Sequence, residues 1–367
     1  MDERADHVQG DSRMMTGEAP RVVLVVPAHN EEQIIEGALR SVERQTRVPD
    51  RVIVMCDNCT DGTAAIADRF GWEVWHSDGN RHKKAGALNQ AWERLAGDLR
   101  DEDFLFVMDA DSHLDERFVE AALAKHAEGG YGGVGGTFRG RDGGGFVGML
   151  QRNEYVRYMR ETRQKKGRVM VLTGTATVFR VSALRDVVAA RRAGALPTGS
   201  ASLYDTEVLT EDNELSLALR TVGHRIVSPK ECTLTTEVME TWGDLAKQRL
   251  RWKRGALENC RQYGLTRVTR EYWWRQVLSF IGLAVTATYL SSLAFSFGYY
   301  GSIQLHAVWL AITGVFMVER VVSVRRRGPA QMLFASVLVV EMTFDIFLQA
   351  IHARALVQAL RRTESAW

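Results

Sequence analysis

The sequence predicts an α/β domain built on an open, mostly parallel sheet, followed by apolar helices of membrane-spanning length. Three observations predict it. Between residues 21 and 109 short apolar runs alternate with amphipathic ones, the repeating order of parallel strands joined by crossover helices. Three of those apolar runs end in polar or acidic clusters, at the sheet edge where such folds bind ligands. From Val277 onward the chain carries long uncharged stretches, of the length needed to cross a bilayer.

Taken in order, residues 1–20 (MDERADHVQGDSRMMTGEAP) are polar with no apolar core; they are expected to form a loose tail rather than a signal peptide or an anchor. A domain is expected over residues 21–260. RVVLVVPAHN reads as a strand, EEQIIEGALRSVERQT as a helix, RVIVMCDN as a strand, TDGTAAIADRF as a helix, WEVWHSD as a strand and KAGALNQAWERLA as a helix. The run Phe104-Leu105-Phe106-Val107-Met108 is then a buried strand. Three strand ends converge on one crevice: Pro27-Ala28-His29-Asn30-Glu31, Asp57-Asn58 and Asp109-Ala110-Asp111.

The last of these raises an electrostatic question. In a strand, residues i and i+2 point to the same side, so Asp109 and Asp111 would share space and repel each other, raising one pKa unless a cation intervenes or water screens them. Mg²⁺ or Mn²⁺ is the simplest remedy, because such hard cations are held by one or two carboxylates together with substrate phosphates. The plainer reading is a solvated turn or helix cap, since Ser112 and Asp115 follow. A bare Asp-x-Asp does not choose between them.

Composition narrows the function class. A net charge of +2 over 367 residues gives no footprint for nucleic acid. Four cysteines, Cys56, Cys59, Cys232 and Cys260, make no disulfide framework and fit a reducing compartment. Cys56-x-x-Cys59 lacks the second pair that a zinc site needs. His29, His76, His82 and His113 have no metal-ligand spacing and read as surface or pocket polar groups. Gly130-x-Gly132-x-x-Gly135 has dinucleotide-binding spacing but the reverse context, following a helix and preceding a strand; it is expected to be a flexible turn, and GRDGGGF (Gly140 to Phe146) a mobile loop. No phosphate-loop sequence occurs.

The C-terminal part is expected to be membrane-associated: residues 261–275 interfacial, with EYWWRQ as an aromatic belt, and residues 276–367 membrane helices. Val277 to Phe297 is uncharged. Ile303 to Val318 carries Gln304 and His306, and the stretch from Gln331 contains Glu341 and Asp345, acids that are costly in lipid and can mark transport paths. The basic loop VRRRGP orients the chain with the N-terminal domain in the cytoplasm of a multi-pass inner (plasma) membrane protein. Full crossing of the third stretch would put Arg354, Arg361 and Arg362 outside, against that bias, so a re-entrant or interfacial helix is the competing reading.

With the strand ends placed, the chain resembles family 2 glycosyltransferases of the GT-A fold, in the membrane-bound synthase-like branch that includes cellulose, chitin, hyaluronan and poly-N-acetylglucosamine synthases. The motifs are CDNCTDGT, DAD, Thr210-Glu211-Asp212 and Gln248-Arg249-Leu250-Arg251-Trp252, in that order and ahead of apolar helices. The resemblance runs from about Val22 to Trp252. It implies that Glu31, Asp57 and Lys84 line a uridine and diphosphate pocket, with His29 and Asn30 at the same strand end, and that Asp109 and Asp111 hold Mg²⁺ or Mn²⁺. It further implies that Thr175, within LTGTATVFR, lies beside the acceptor, that Asp212 is the catalytic base with Glu211 orienting it, and that Gln248, Arg249, Arg251 and Trp252 meet pyrophosphate and acceptor sugar. One departure stands out: Cys56 occupies a position where relatives often carry a second aspartate.

Each motif has a plainer reading beside this one. Thr210-Glu211-Asp212-Asn213 could be a helix N-terminus, and KQRLRWKRG a solvated basic helix face near a membrane. The activity implied is inverting transfer of a hexose or N-acetylhexosamine from a UDP-sugar to a saccharide acceptor, with processive synthesis and single transfer to a polyprenyl-phosphate or glycolipid both open. Membrane lipid is the remaining partner. A non-catalytic sugar-binding scaffold or transporter subunit is the alternative from another class, supported by Glu341 and Asp345.

Overall fold

The computed structural model describes residues 18–198, 201–302 and 307–361. Most of the expected tail, Gln304, His306 and Arg362 lie outside the described residues. The chain runs β1 (Val22–Ala28), α1 (Ile35–Glu43), β2 (Arg51–Cys56), α2 (Thr63–Arg69), β3 (Glu73–His76), α3 (Lys83–Leu95), β4 (Phe104–Met108), β5 (His113–Leu114), α4 (Phe118–Ala127), β6 (Tyr131–Gly135), β7 (Thr137–Gly140) and α5 (Gly145–Gln164). It continues through β8 (Ala176–Arg180), α6 (Val181–Arg192), α7 (Glu211–Thr221), β9 (Arg225–Val227), β10 (Thr233–Thr236), α8 (Trp242–Tyr263), α9 (Arg270–Tyr300), α10 (Ala307–Val324), α11 (Pro329–Ser336) and α12 (Leu338–Arg361).

Each strand and helix expected before Asp109 is present. β1 and β4, and β2 after Arg51, are apolar because both faces are covered: one layer packs Val23, Val25, Leu105 and Val107 under α3 and α6, the other packs Val22, Leu24, Val26 and Phe106 under α1, α2 and α4; β3 is a half-buried edge strand. The sheet has seven strands in the order β3-β2-β1-β4-β8-β6-β9. β1 is parallel to β2 and β4, whereas β8 runs antiparallel to both β4 and β6. A second sheet, β5-β10-β7, brings the end of β10 to the same edge.

The glycine-rich segment departs from expectation. Gly130 does turn, with φ +75°, but Gly132, Gly133 and Gly135 are buried in strand β6 between β8 and β9. A Cβ on Gly133 would lie 2.6 Å from Leu172, and one on Gly132 2.7 Å from His224. The glycines serve close packing, not a flexible turn. The expected loop at Gly140 to Phe146 is also shorter, because α5 already begins at Gly145.

The C-terminal helices depart further. Among the described residues one helix, α9, is long and apolar enough to cross a membrane. The third apolar stretch is broken at Val337 into α11 and α12, and α12 lies along α8. Trp242 of α8 meets Phe347 edge-on at 4.9 Å between ring centres, and Leu245 shares a buried cluster with Phe344 and with Val147 and Leu150 of α5. Glu341 is 1% exposed and pairs with Arg157 of α5 at 3.0 Å while accepting from Asn153 Nδ2 at 3.1 Å. Asp345 pairs with Arg320 of α10. Both acids therefore have protein partners within the docked helices, and the transport-path reading loses its support.

Candidate functional site

The carboxyl ends of β2, β1 and β4 lie side by side, and β8 returns beside β4. At the β2 end, Asp57 is buried. Its Oδ1 accepts from Ser77 Oγ at 2.7 Å, Asn80 Nδ2 at 2.8 Å and Asn58 Nδ2 at 3.0 Å. Its backbone carbonyl lies 2.6 Å from His29 Nδ1. Asn30, at φ 56°, accepts from the Thr60 amide at 2.8 Å. Ser77 and Asn80 follow β3, and the sequence reading missed them although they too stand just past a strand end.

At the β4 end, Lys84 organises the acids. Its ammonium donates to Asp109 Oδ1 at 2.5 Å and lies 3.3 Å from Glu211 Oε1. Burial alone would lower its pKa, but Asp109 and Glu211 outweigh that and hold it above the usual lysine value. The Asp109 amide donates to Thr175 O at 3.0 Å, and Thr175 Oγ1 lies 2.9 Å from Thr173 Oγ1. The segment before β8 is thereby tied to the same edge.

Glu211 and Asp212 open α7. Asp212 Oδ2 accepts from the Gly174 amide at 2.9 Å, and Oδ1 from the Asn213 amide at 2.8 Å. Gly174 leaves a tight space, since a Cβ there would lie 3.1 Å from Lys84 Nζ and 3.3 Å from Asp212 Oδ2. Burial and the adjacent Glu211 push the Asp212 carboxyl up to about 6, against the pull of Lys84. Lys84, Glu211, Asp212, Gly174, Leu172 and Tyr204 line a shallow pocket there. Thr210 to Asn213 do form the start of α7, as the plainer reading has it, but Thr210 makes no side-chain cap bond: Asn259 Nδ2 of α8 donates to Thr210 Oγ1 instead, at 3.2 Å.

Negative charge accumulates on the other side of Lys84. Burial pushes Asp109 up to about 6 despite Lys84. Asp111 is raised by burial and then by Glu237, at the end of β10. Burial, then Asp111, Glu237 and Asp109, push Glu31 up to about 7. Glu237, paired with Arg141, comes from the second sheet, and no motif pointed to it. No three His, Cys, Asp or Glu side chains among the described residues form a ready metal cage. Asp109 and Asp111 stand in the turn that follows β4 rather than within the strand; two neighbouring carboxylates raised by burial, one of them held by Lys84, fit a hard divalent cation shared with phosphate oxygens.

The α8 motif divides. Arg249 is 3% exposed; it pairs with Glu154 of α5 at 2.7 Å, donates to Gln248 Oε1 at 2.8 Å and lies 4.4 Å above the Trp252 ring. Arg251 is exposed. Gly255 brings α8 against the turn before α7, where a Cβ would lie 2.5 Å from Thr210 Oγ1. Glu154 was not foreseen, because a lone acid in an amphipathic helix carries no signal. The expected aromatic belt is mostly a docking segment: the Tyr272 hydroxyl accepts from Asn213 Nδ2 at 2.9 Å and Trp273 Nε1 donates to Gly264 O at 3.1 Å, while Trp274 is exposed.

Residues 23–188 match the family described as Glycosyl transferase family 2. Poly-beta-1,6-N-acetyl-D-glucosamine synthase of Staphylococcus aureus is 26% identical over 283 residues, covering 73% of this chain and 64% of its own length. The Staphylococcus epidermidis protein of the same name is 25% identical over 288 residues, covering 74% and 65%. The chain thus spans about two thirds of the length of those relatives. Among solved structures, the mannosyltransferase PcManGT from Pyrobaculum calidifontis, in complex with GDP-Man and Mn²⁺, is similar with a TM-score of 0.60 and 20% identity, covering 95% of this chain and 89% of that one. That likeness concerns the fold.

Proposed function

From a chain that carries a glycosyl transferase family 2 domain over residues 23–188, we propose an inverting transferase that moves a hexose or N-acetylhexosamine from a UDP-sugar to a saccharide acceptor. The observation that carries this reading is the bridge made by Lys84, which joins Asp109 at the β4 end to Glu211 at the start of α7. Donor and acceptor chemistry thereby share one crevice.

In this reading Asp57, Asn58 and His29 receive the nucleoside, and Glu31 and Lys84 face the diphosphate. Asp212 takes the proton from the acceptor hydroxyl. Its carboxylate is aimed by the Gly174 and Asn213 amides, and an oriented base of this kind contributes about 10²–10⁴-fold. In-line attack from the face opposite the diphosphate gives a β-linkage from an α-linked donor. Asp109 and Asp111 would hold Mg²⁺ or Mn²⁺, which when bound would supply charge neutralisation of the departing diphosphate. Arg249 braces Trp252, whose ring offers an apolar face for the acceptor pyranose, and Arg251, exposed on the same helix, meets phosphate.

The α9 helix anchors the protein at the inner (plasma) membrane, with the nucleotide-binding edge on the cytoplasmic side. The similarity to poly-N-acetylglucosamine synthases favours UDP-N-acetylglucosamine as donor and repeated addition as outcome. The test is a screen of nucleotide sugars for metal-dependent release of nucleotide diphosphate by purified protein in lipid nanodiscs, with mass analysis of the product. Release of UDP with a β-linked oligosaccharide series is expected. A single added sugar would replace extension by one-step transfer, and no release from any UDP-sugar by folded protein would overturn the reading.

A further inference from the structure

The long apolar helix α9 begins against the active edge. Its first turn is held at several points: Thr269 Oγ1 and Trp273 Nε1 both donate to Gly264 O, at 2.6 and 3.1 Å, and Glu271 pairs with Arg168 at 3.2 Å. Tyr272, in that turn, reaches the start of α7. Its hydroxyl accepts from Asn213 Nδ2 at 2.9 Å, and the backbone amide of the same asparagine donates to Asp212 Oδ1 at 2.8 Å. Asn213 is buried and its Oδ1 has no partner, so the contact to Tyr272 is what fixes that side chain. The other oxygen of Asp212 is fixed by Gly174. One side of the carboxylate is thus set by the sheet edge, and the other by a residue whose side chain is held by the root of α9.

We propose that Tyr272 is a positioning residue for Asp212, so that the seating of the membrane-crossing helix sets the aim of the base. The inference rests on the reading of Asp212 as base. It makes transfer sensitive to how α9 sits: a shift of this helix root moves the Asn213 side chain and with it the first turn of α7, whose Asn213 amide aims Asp212 Oδ1, and lowers turnover without touching the nucleotide pocket.

The experiment compares Tyr272→Phe, Asp212→Asn and the double variant in full-length protein in nanodiscs, following UDP release from the donor identified by the screen above. Trp274→Leu serves as a control at the same depth of α9 but on its exposed side. Removing the hydroxyl keeps the ring and its packing, so the fold is retained. Tyr272→Phe should lower kcat by about 3- to 10-fold, the effect of one lost hydrogen bond, while KM for the donor stays unchanged. In the Asp212→Asn background it should add no further loss, because residues acting as a unit are non-additive. Trp274→Leu should match the parent. The inference is overturned if Tyr272→Phe keeps the parent kcat, if its loss is as large without Asp212, or if Trp274→Leu loses as much. An Asp212→Asn protein with full turnover would instead remove the base itself, and the inference with it.

Discussion

Two regions of the molecule hold buried or half-buried acids, and they are built in opposite ways. Where α12 and α10 dock on α5, the acids are matched by cations: Glu341 by Arg157 and Asp345 by Arg320. At the strand ends and the start of α7, Glu31, Asp109, Asp111, Glu211, Asp212 and Glu237 share Lys84 and Arg141. The first arrangement is balanced and holds two parts of the chain together. The second carries an excess of negative charge that burial makes costly, and such an excess is retained where a charged ligand completes it. The lesson is that burial of an acid says little until its cations are counted.

The contrast is broken most directly by exchanging roles. Asp212→Asn should reduce turnover by about 10²–10⁴-fold, the worth of a general base, while thermal stability is kept or improved because a repelled charge is removed. Donor affinity, read by calorimetry with UDP, should stay within about twofold on the same ground, that base and diphosphate pocket are separate. Glu341→Ala should do the reverse. It strands Arg157 and the Asn153 amide, a loss of about 3–5 kcal/mol for breaking a buried pair, seen as an earlier unfolding transition. Replacing both partners, Glu341→Leu with Arg157→Met, should recover most of that stability. If Glu341→Ala proves silent in unfolding while Asp212→Asn unfolds the protein, the assignment of the two regions is inverted.

The acids also separate by pH. Burial and Glu211 push Asp212 up to about 6, so the base is lost on acidification: kcat/KM should fall about tenfold per unit below that point and level off above it. The stability sign is opposite. A carboxyl raised from its unfolded value of about 4 binds more protons in the folded state, so its contribution declines as pH rises through the window between about 4 and 6. Asp103 behaves the other way. Burial would raise it, but Arg100 and Arg21 hold it down to about 2, and its contribution is full above about 4 and lost as pH falls toward 2. Titrating activity and unfolding together should show activity rising where part of the stability is given up. An acid limb centred well below 5 would remove Asp212 from the role.

Much of this edge was legible in the sequence because a parallel sheet places the ends of consecutive strands together. His29 to Glu31, Asp57 and Asp109 to Asp111 needed only the alternation of apolar runs to be brought side by side. Asp212 needed the motif, since α7 reaches the edge through tertiary packing. Glu237 was illegible for a related reason: its strand belongs to the second sheet, and nothing local announces that β10 ends at the same crevice. The third apolar stretch misled more, because composition alone does not distinguish lipid from the face of another helix: α12 packs along α8, whereas Val277 to Phe297 lies in α9, which has spanning length. Glu341 and Asp345 were the clue: acids this costly in lipid should face protein or water, and both are paired with arginines across a helix interface. The glycines of β6 misled similarly, since a buried strand packed against Leu172 and Phe179 needs missing side chains as much as a turn does.

The smallest change that sharpens the comparison is one methyl group at Gly174. Its amide aims Asp212, and its bare Cα leaves room for Lys84 and Asp212 to close around it; an alanine Cβ would sit 3.1 Å from Lys84 Nζ and 3.3 Å from Asp212 Oδ2. Neither approach is an outright clash, so Lys84, which ends in a flexible chain, must give by a few tenths of an ångström. Shifting it disturbs the bridge to Asp109 and Glu211 without emptying any part of the core. A displacement of about 1 Å near reacting groups can cost about 10²-fold in rate, so a shift several times smaller should cost about 3- to 10-fold in kcat. The unfolding transition should stay where it was, because the residue has no positive φ to relieve and no apolar contact to lose. A Gly174→Ala protein with unchanged kcat would mean that the close approach of Lys84 and Asp212 is incidental to transfer. One that unfolds early would mean that this edge, like the docked face of α12, is held for stability.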